Sequence, residues 1–109
     1  MMGNHWQARE HYAQGHAAME KRQLDLAIQH YSEAIRFNPE YAEAHNSLAI
    51  AYAFSGRFEE AMKHYDEAIR LWPDYEAAKH NREGVAAIMK KSPEEQKQFV
   101  ESLKYQVGK

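Results

Sequence analysis

The sequence predicts an all-α protein of one domain, built as a stack of antiparallel helix pairs. Three observations favour this fold. A stretch near the middle of the chain recurs at an interval of 34 residues, apolar side chains recur within each copy at steps of three and four residues, and glycine or proline stands where the helices have to end. Because one such unit cannot bury its apolar face alone, a repeat of this length is typical of helical units stacked side by side.

The two clear repeats span residues 8–41 and 42–75. Residues 24–41 and 58–75 align without gaps and are identical at 9 of 18 positions. The matched pairs include Ala27 and Ala61, Tyr31 and Tyr65, Ala34 and Ala68, and Pro39 and Pro73. The four alanines among these pairs allow neighbouring helix axes to approach closely, and the two tyrosines fill the space beside them.

The second repeat contains two predicted helices. The first spans residues 42–55, where small and apolar residues form one stripe, and it ends at Gly56 because glycine closes a helix in the left-handed conformation without steric cost. The second begins at Phe58 and ends before Pro73, which cannot continue the hydrogen-bond ladder. The first repeat follows the same pattern, but Arg22 replaces the turn glycine, so a looser first hairpin is expected.

Residues 76–107 are predicted to form a degenerate third repeat. Its first helix spans 76–91 and has one apolar side. The next helix begins with Ser92 as N-cap, Pro93 at the first helical position and Glu95 as the capping-box partner. A terminal repeat meets water on one face, so its weakened pattern is expected, and its last helix closes the stack.

Composition excludes several classes of function. The net charge of −2 produces no field that attracts nucleic acid or an anionic membrane. Without cysteine there is no disulfide, thiol nucleophile or zinc thiolate site. The N-terminal residues lack the apolar core of a signal peptide, and no stretch approaches the ~20 apolar residues of a membrane span. No nucleic-acid binding, no membrane insertion and a cytoplasmic location are therefore expected.

The pattern of the repeats resembles that of the tetratricopeptide repeat (TPR) family. Its 34-residue consensus has a large residue, Leu-Gly and Tyr in the first helix, then Gly-Tyr, Ala, Phe or Tyr, Ala and Pro through the second. Repeat two has these places occupied by His45, Leu48, Ala49, Tyr52, Gly56, Phe58, Ala61, Tyr65, Ala68 and Pro73. The resemblance implies a right-handed superhelical solenoid that binds another polypeptide as an adaptor or assembly factor, without catalysis.

The resemblance also implies where a ligand binds. The first helix of each repeat lines a concave face, and the second, fifth, ninth, twelfth and thirteenth positions of that helix contact the ligand. The candidates are Arg9, Tyr12, His16, Met19, Glu43, Asn46, Ile50, Phe54, His80 and Ile88. Apolar side chains are mixed here with amides and imidazoles, which suits an extended or helical peptide that has apolar anchors and few charges.

The seven histidines raise the question of a metal site. Sites on helices place imidazoles at i and i+4 with a third ligand nearby, and no two histidines in this chain are four residues apart. His30 and His64 are expected on the solvated side of the second helices, and His11 and His45 at a packing position of the first. A Gly-rich phosphate loop and a serine elbow are also missing from the sequence, so no metal, cofactor or catalytic site is predicted.

Trp72 stands just before a helix-ending proline, where repeat one has the polar Asn38. One interpretation is that its indole fills a gap beside Tyr75 at the start of the next helix. The alternative is an exposed interface anchor. Together with Phe99 and Leu103 of the last helix, it would then support a self-associating structural module, a homodimer in the simplest case.

Overall fold

The computed structural model describes residues 4–107, and within this range it contains six α-helices and no strand. The helices are α1 (Asn4–Glu20), α2 (Leu24–Phe37), α3 (Ala42–Phe54), α4 (Phe58–Leu71), α5 (Glu76–Met89) and α6 (Pro93–Val107). Helices α1 and α2 form one tightly packed pair and α3 and α4 a second, while α2 packs on α3 and α4 on α5. The predicted all-α stack of helix pairs is confirmed.

The core consists of two clusters centred on the repeated tyrosines. Tyr31 packs with Leu48 and with buried alanines in one cluster, and Tyr65 packs with Phe58 and further alanines in the other. Ala27 and its repeat equivalent Ala61 are fully buried, and so are the second equivalent pair, Ala34 and Ala68. Because a buried alanine adds no bulk, the helix axes approach closely and the tyrosine rings fill the remaining volume, as the sequence predicts.

The first hairpin turn has the same geometry as the second, so the expected looser turn at Arg22 is wrong. Arg22 has φ 63° and Gly56 has φ 80°, so both lie in the left-handed region. The amide of Gln23 donates to the carbonyl of Ala18 at 2.9 Å, and the amide of Arg57 forms the equivalent bond in the second turn at 2.8 Å. Arginine adopts this conformation at a cost of about 1 kcal/mol, which the surrounding packing offsets.

Helix α6 begins with the predicted capping box. The amide of Glu95 donates to Ser92 Oγ at 3.2 Å, and the amide of Ser92 donates to Glu95 Oε1 at 3.1 Å. These reciprocal bonds satisfy two backbone donors that a helix start otherwise leaves without partners. The capping prediction is therefore confirmed.

The course of α6 differs from that of α2 and α4, because it contacts the preceding helix at few places. Val100 lies over the second hairpin turn, with its Cγ2 3.5 Å from where a Cβ on Gly56 would stand. Further along, the carbonyl of Leu103 accepts a hydrogen bond from the Arg22 guanidinium at 3.2 Å. The last helix thus lies across the turns of both hairpins and contacts each of them.

Candidate ligand-binding groove

Helices α1, α3 and α5 are neighbours on one face of the stack, which we call the groove. Ser47 Oγ of α3 lies 3.5 Å from the hydroxyl of Tyr12 in α1. Asn81 Nδ2 of α5 donates to Asn46 Oδ1 of α3 at 3.4 Å. These side-chain contacts join the three helices, each of which is the first helix of its repeat, into one continuous surface.

The half of the groove nearer the hairpin turns contains an apolar pocket of ≈560 Å³ between α3 and α5. Its lining includes Ile50, Ala53, Phe54, Tyr65, His80, Asn81, Gly84, Val85, Ile88 and Phe99. Four of the expected groove residues are thereby brought together, namely Ile50, Phe54, His80 and Ile88. Phe99 of α6 closes one side, a role that the sequence did not predict for it.

The other half of the groove is polar and aromatic. The ring of Tyr12 lies 5.0 Å from that of Tyr41 between centroids. Burial raises the pKa of the Tyr41 hydroxyl, and the nearby Glu43 carboxylate raises it further while Arg9 opposes the effect. Burial also raises the pKa of Tyr75, again with Glu43 close by. Arg9, Tyr12 and Glu43 therefore lie near Tyr41, in a tyrosine cluster that sequence reasoning missed.

The expected residues His16 and Met19 lie on α1, next to Tyr31 and the core cluster around it. His16 is exposed on the groove, and its Nδ1 lies 2.7 Å from the hydroxyl of Tyr31. Burial raises the pKa of Tyr31 to about 12, so the hydroxyl that forms this hydrogen bond keeps its proton. Met19 is partly buried against the first core cluster. Asn46, expected as an accessible contact, is only 7% exposed, because the amide of Asn81 covers it.

The three expected interface anchors lie in different environments. Trp72 stacks on Tyr75 with ring centroids 4.3 Å apart, as the packing interpretation predicts, yet 44% of the residue stays exposed, as the alternative predicts. Phe99 packs against the second core cluster and Leu103 is partly buried, because α6 lies across the hairpins. Of these three residues, only Trp72 is exposed, at the corner between α4 and α5.

Four histidines form two pairs, and each pair joins the two helices of one repeat. His11 and His30 approach with their Nδ1 atoms 3.1 Å apart, and His45 and His64 do so at the same distance. The expectation that His30 and His64 lie on the solvated side is wrong, because both are partly buried and face an imidazole of the preceding helix. A spacing of 19 residues, repeated after 34, is the sequence signal that could have revealed the pairs.

Two further properties concern the part of the chain that the structure describes. None of its helices combines the length and the apolar character that crossing a membrane requires. In the same part, no cluster of three or more histidine, aspartate or glutamate side chains is arranged to hold a metal ion.

Comparison with known protein families gives one match. A family model described as "Tetratricopeptide repeat" matches residues 12–76, which is more than half of the chain. The matched region begins within α1, contains α2, α3 and α4 completely, and ends at the start of α5. No curated protein matches the chain significantly.

Proposed function

Because this chain belongs to the tetratricopeptide repeat family, whose repeats generally mediate protein–protein interactions, we propose that it binds a peptide segment of a partner protein in the groove. Such modules are typically non-catalytic, and the chain would act as an adaptor or assembly factor. The observation that carries the proposal is the apolar pocket between α3 and α5, which opens on the same face as the polar and aromatic half.

The lining of the groove defines the chemistry of the ligand. An apolar side chain fits the pocket beside Ile50 and Ile88, where its burial removes apolar surface from water. The hydroxyls of the tyrosine cluster offer hydrogen-bonding groups to a peptide backbone at the other end. We therefore expect a largely uncharged peptide with an apolar anchor, bound along the groove in one direction.

Selection from a random-peptide display library tests this proposal. Selected peptides should bind the unmodified protein and lose at least about tenfold in affinity to Ile50→Ser, because a hydroxymethyl group leaves the anchor poorly packed. His80→Glu, at the exposed rim of the pocket, should weaken the same peptides because it places a carboxylate beside an apolar ligand. Affinities would be measured by fluorescence anisotropy with labelled peptides.

Leu26→Ser is the matched control, since Leu26 is an exposed apolar residue of α2 outside the pocket lining. It should leave the affinities unchanged. Circular dichroism of each variant separates lost binding from lost folding. Peptides that bind the two groove variants as tightly as the unmodified protein would locate the binding surface elsewhere.

A second candidate function is self-association, which the exposure of Trp72 favours. Its indole is 44% exposed at the corner between α4 and α5, and aromatic anchors of this kind are common at protein interfaces. Trp6 is a second exposed indole, at 60%. Contact between two copies through Trp72 would bury apolar surface that the stacking on Tyr75 leaves open.

Light scattering over a wide range of protein concentration tests this candidate. If Trp72 is an anchor, the unmodified chain forms a dimer at high concentration and Trp72→Ala stays monomeric. Trp6→Ala is the control for a general loss of exposed apolar surface, and it should leave the dimer intact. A monomer at every concentration would reduce Trp72 to a local packing residue and leave peptide binding as the proposed function.

A further inference from the structure

The paired histidines are not among the residues that line the pocket of the groove. In each repeat, one imidazole comes from the first helix and one from the second, with the two Nδ1 atoms 3.1 Å apart. Arg and Glu side chains pair next to both sites in the same way, Glu33 with Arg36 and Glu67 with Arg70. The internal repeat has thus preserved a complete arrangement of polar groups, and not only the apolar pattern.

The pair in repeat two has a defined orientation. His45 Nε2 lies 3.0 Å from the carbonyl oxygen of Pro39, and a carbonyl can only accept a hydrogen bond. Nε2 therefore carries a proton, and in the neutral ring Nδ1 presents its lone pair toward His64. This is the orientation that metal-binding histidines usually have, with the second ring nitrogen donating to a backbone carbonyl or a carboxylate.

The distance between the two nitrogens also fits a bound ion. With bonds of about 2.0–2.1 Å, two nitrogen ligands are about 2.9 Å apart at a right angle and about 3.3 Å apart at the tetrahedral angle. The observed 3.1 Å lies between these values. We propose that His45 and His64 chelate a divalent transition metal ion of the Zn²⁺ type through their Nδ1 atoms.

Binding of the ion requires a change of tautomer and no net loss of protons. In the hydrogen-bonded pair the shared proton resides on His64 Nδ1, and it moves to Nε2 when the metal takes its place. Burial lowers the pKa of both rings, so both are neutral at pH 7, and the same burial also disfavours a bound cation. Lys63 and Arg70 oppose a bound cation, whereas Glu60 and Glu67 favour it.

The remaining coordination positions would be filled by water or by a group of a partner molecule. Among the described residues, no third imidazole or carboxylate completes the site. Glu67 lies one turn after His64 on α4, and its carboxylate is paired with Arg70. A chelate with two protein ligands binds more weakly than a four-ligand structural zinc site, so the ion is exchangeable.

Calorimetric titration of the full, tag-free chain with Zn²⁺ tests the proposal. His64→Gln should bind one ion fewer per chain than the unmodified protein, since the glutamine amide can still bond to His45 but cannot chelate. His5→Gln is the matched control, because His5 is exposed and outside the pairs, and it should leave the number of ions unchanged. Light scattering with Zn²⁺ present verifies that the ion is bound within one chain.

Nitrogen-15 spectra of the histidine rings give a second readout that needs no substitution. Saturation with Zn²⁺ should shift Nδ1 of His45 and His64, while His5 and His80 stay unaffected. The proposal is overturned if no saturable binding occurs up to millimolar Zn²⁺, if His64→Gln binds as many ions as the unmodified chain, or if shifts are confined to unpaired histidines. The pairs would then be hydrogen bonds alone.

Discussion

Gly15→Ala is expected to lower the free energy of unfolding by about 2 kcal/mol, through a clash inside the first helix pair. A Cβ on residue 15 would stand 2.5 Å from Cε1 and 2.6 Å from Cδ1 of Tyr31, well inside van der Waals contact. Tyr31 is fully buried, and its hydroxyl is bonded to His16 at 2.7 Å. The ring can move aside only if that hydrogen bond breaks.

Repeat two shows how the same position accommodates a side chain. Residue 49, equivalent to Gly15, is a fully buried alanine beside the buried Tyr65. Residue 50, equivalent to His16, is isoleucine, which offers the tyrosine hydroxyl no hydrogen bond. The glycine and the histidine of repeat one therefore act together, because one makes room for the ring and the other holds its hydroxyl.

This coupling predicts the result of a double-variant cycle. Gly15→Ala combined with His16→Ile reproduces the pair found in repeat two, and it should recover at least half of the stability lost in Gly15→Ala. Gly84→Ala is the matched control, because no atom lies within 4 Å of its added Cβ, and it should stabilise by about 0.5–1 kcal/mol through helix propensity. Urea denaturation measures five proteins: the unmodified chain, Gly15→Ala, His16→Ile, the double variant and Gly84→Ala. The coupling is contradicted if Gly15→Ala is as stable as the unmodified chain, or if adding His16→Ile restores none of the lost stability.

Much of the fold could be predicted because its signals are local. Gly56 and Pro73 act on the backbone of their own helix ends, and Ser92 with Glu95 forms a box within four residues. Burial of the repeated alanines and tyrosines likewise follows from positions on one helical stripe. Arg22 was misjudged because residue preference is only a tendency, and surrounding packing holds the arginine at φ 63°.

The candidate groove was predicted less completely, because it depends on how helices are placed against each other. The positions implied by the family located Ile50, Phe54, His80 and Ile88, and these share one pocket. Phe99 was assigned to an external surface because the repeat pattern gives no information on where a divergent last helix lies. Tyr41 and Tyr75 belong to loops between repeats, which a count of positions within helices leaves out.

The histidine pairs were missed for a related reason. A search for i and i+4 spacing tests one helix face, whereas His45 and His64 meet across two antiparallel helices. Which residues meet in this way depends on helix rotation and crossing angle, and these are not fixed by local sequence. Once one pair is known, the repeat supplies the other, because His11 and His30 have the same spacing.

Acidification from pH 7 to pH 5 is expected to lower the free energy of unfolding by about 1–2 kcal/mol through the His45–His64 pair. Burial lowers the pKa of His64 to about 4, helped by the neighbouring His45 and Lys63 and opposed by Glu67 and Glu60, and burial also lowers the pKa of His45. Both rings have an ordinary value of 6.5, so between that value and about 4 the unfolded chain binds more protons. Stability is therefore present above pH 6.5 and is lost as the pH falls.

Urea denaturation at pH 7, 6 and 5, with a chelator present to remove metal ions, measures this loss. His64→Gln should have a smaller pH dependence because the group with the strongly lowered pKa is gone, and His5→Gln should behave as the unmodified chain. Titration of Glu60 and Glu67 does not cause the same loss of stability between pH 7 and pH 5. Hydrogen bonds from arginine lower the pKa of Glu60 and Glu67 below 4.5, so the stability they contribute is lost only at more acidic pH. If the stability of His64→Gln depends on pH as steeply as that of the unmodified chain, the His45–His64 pair is not the source of the pH dependence.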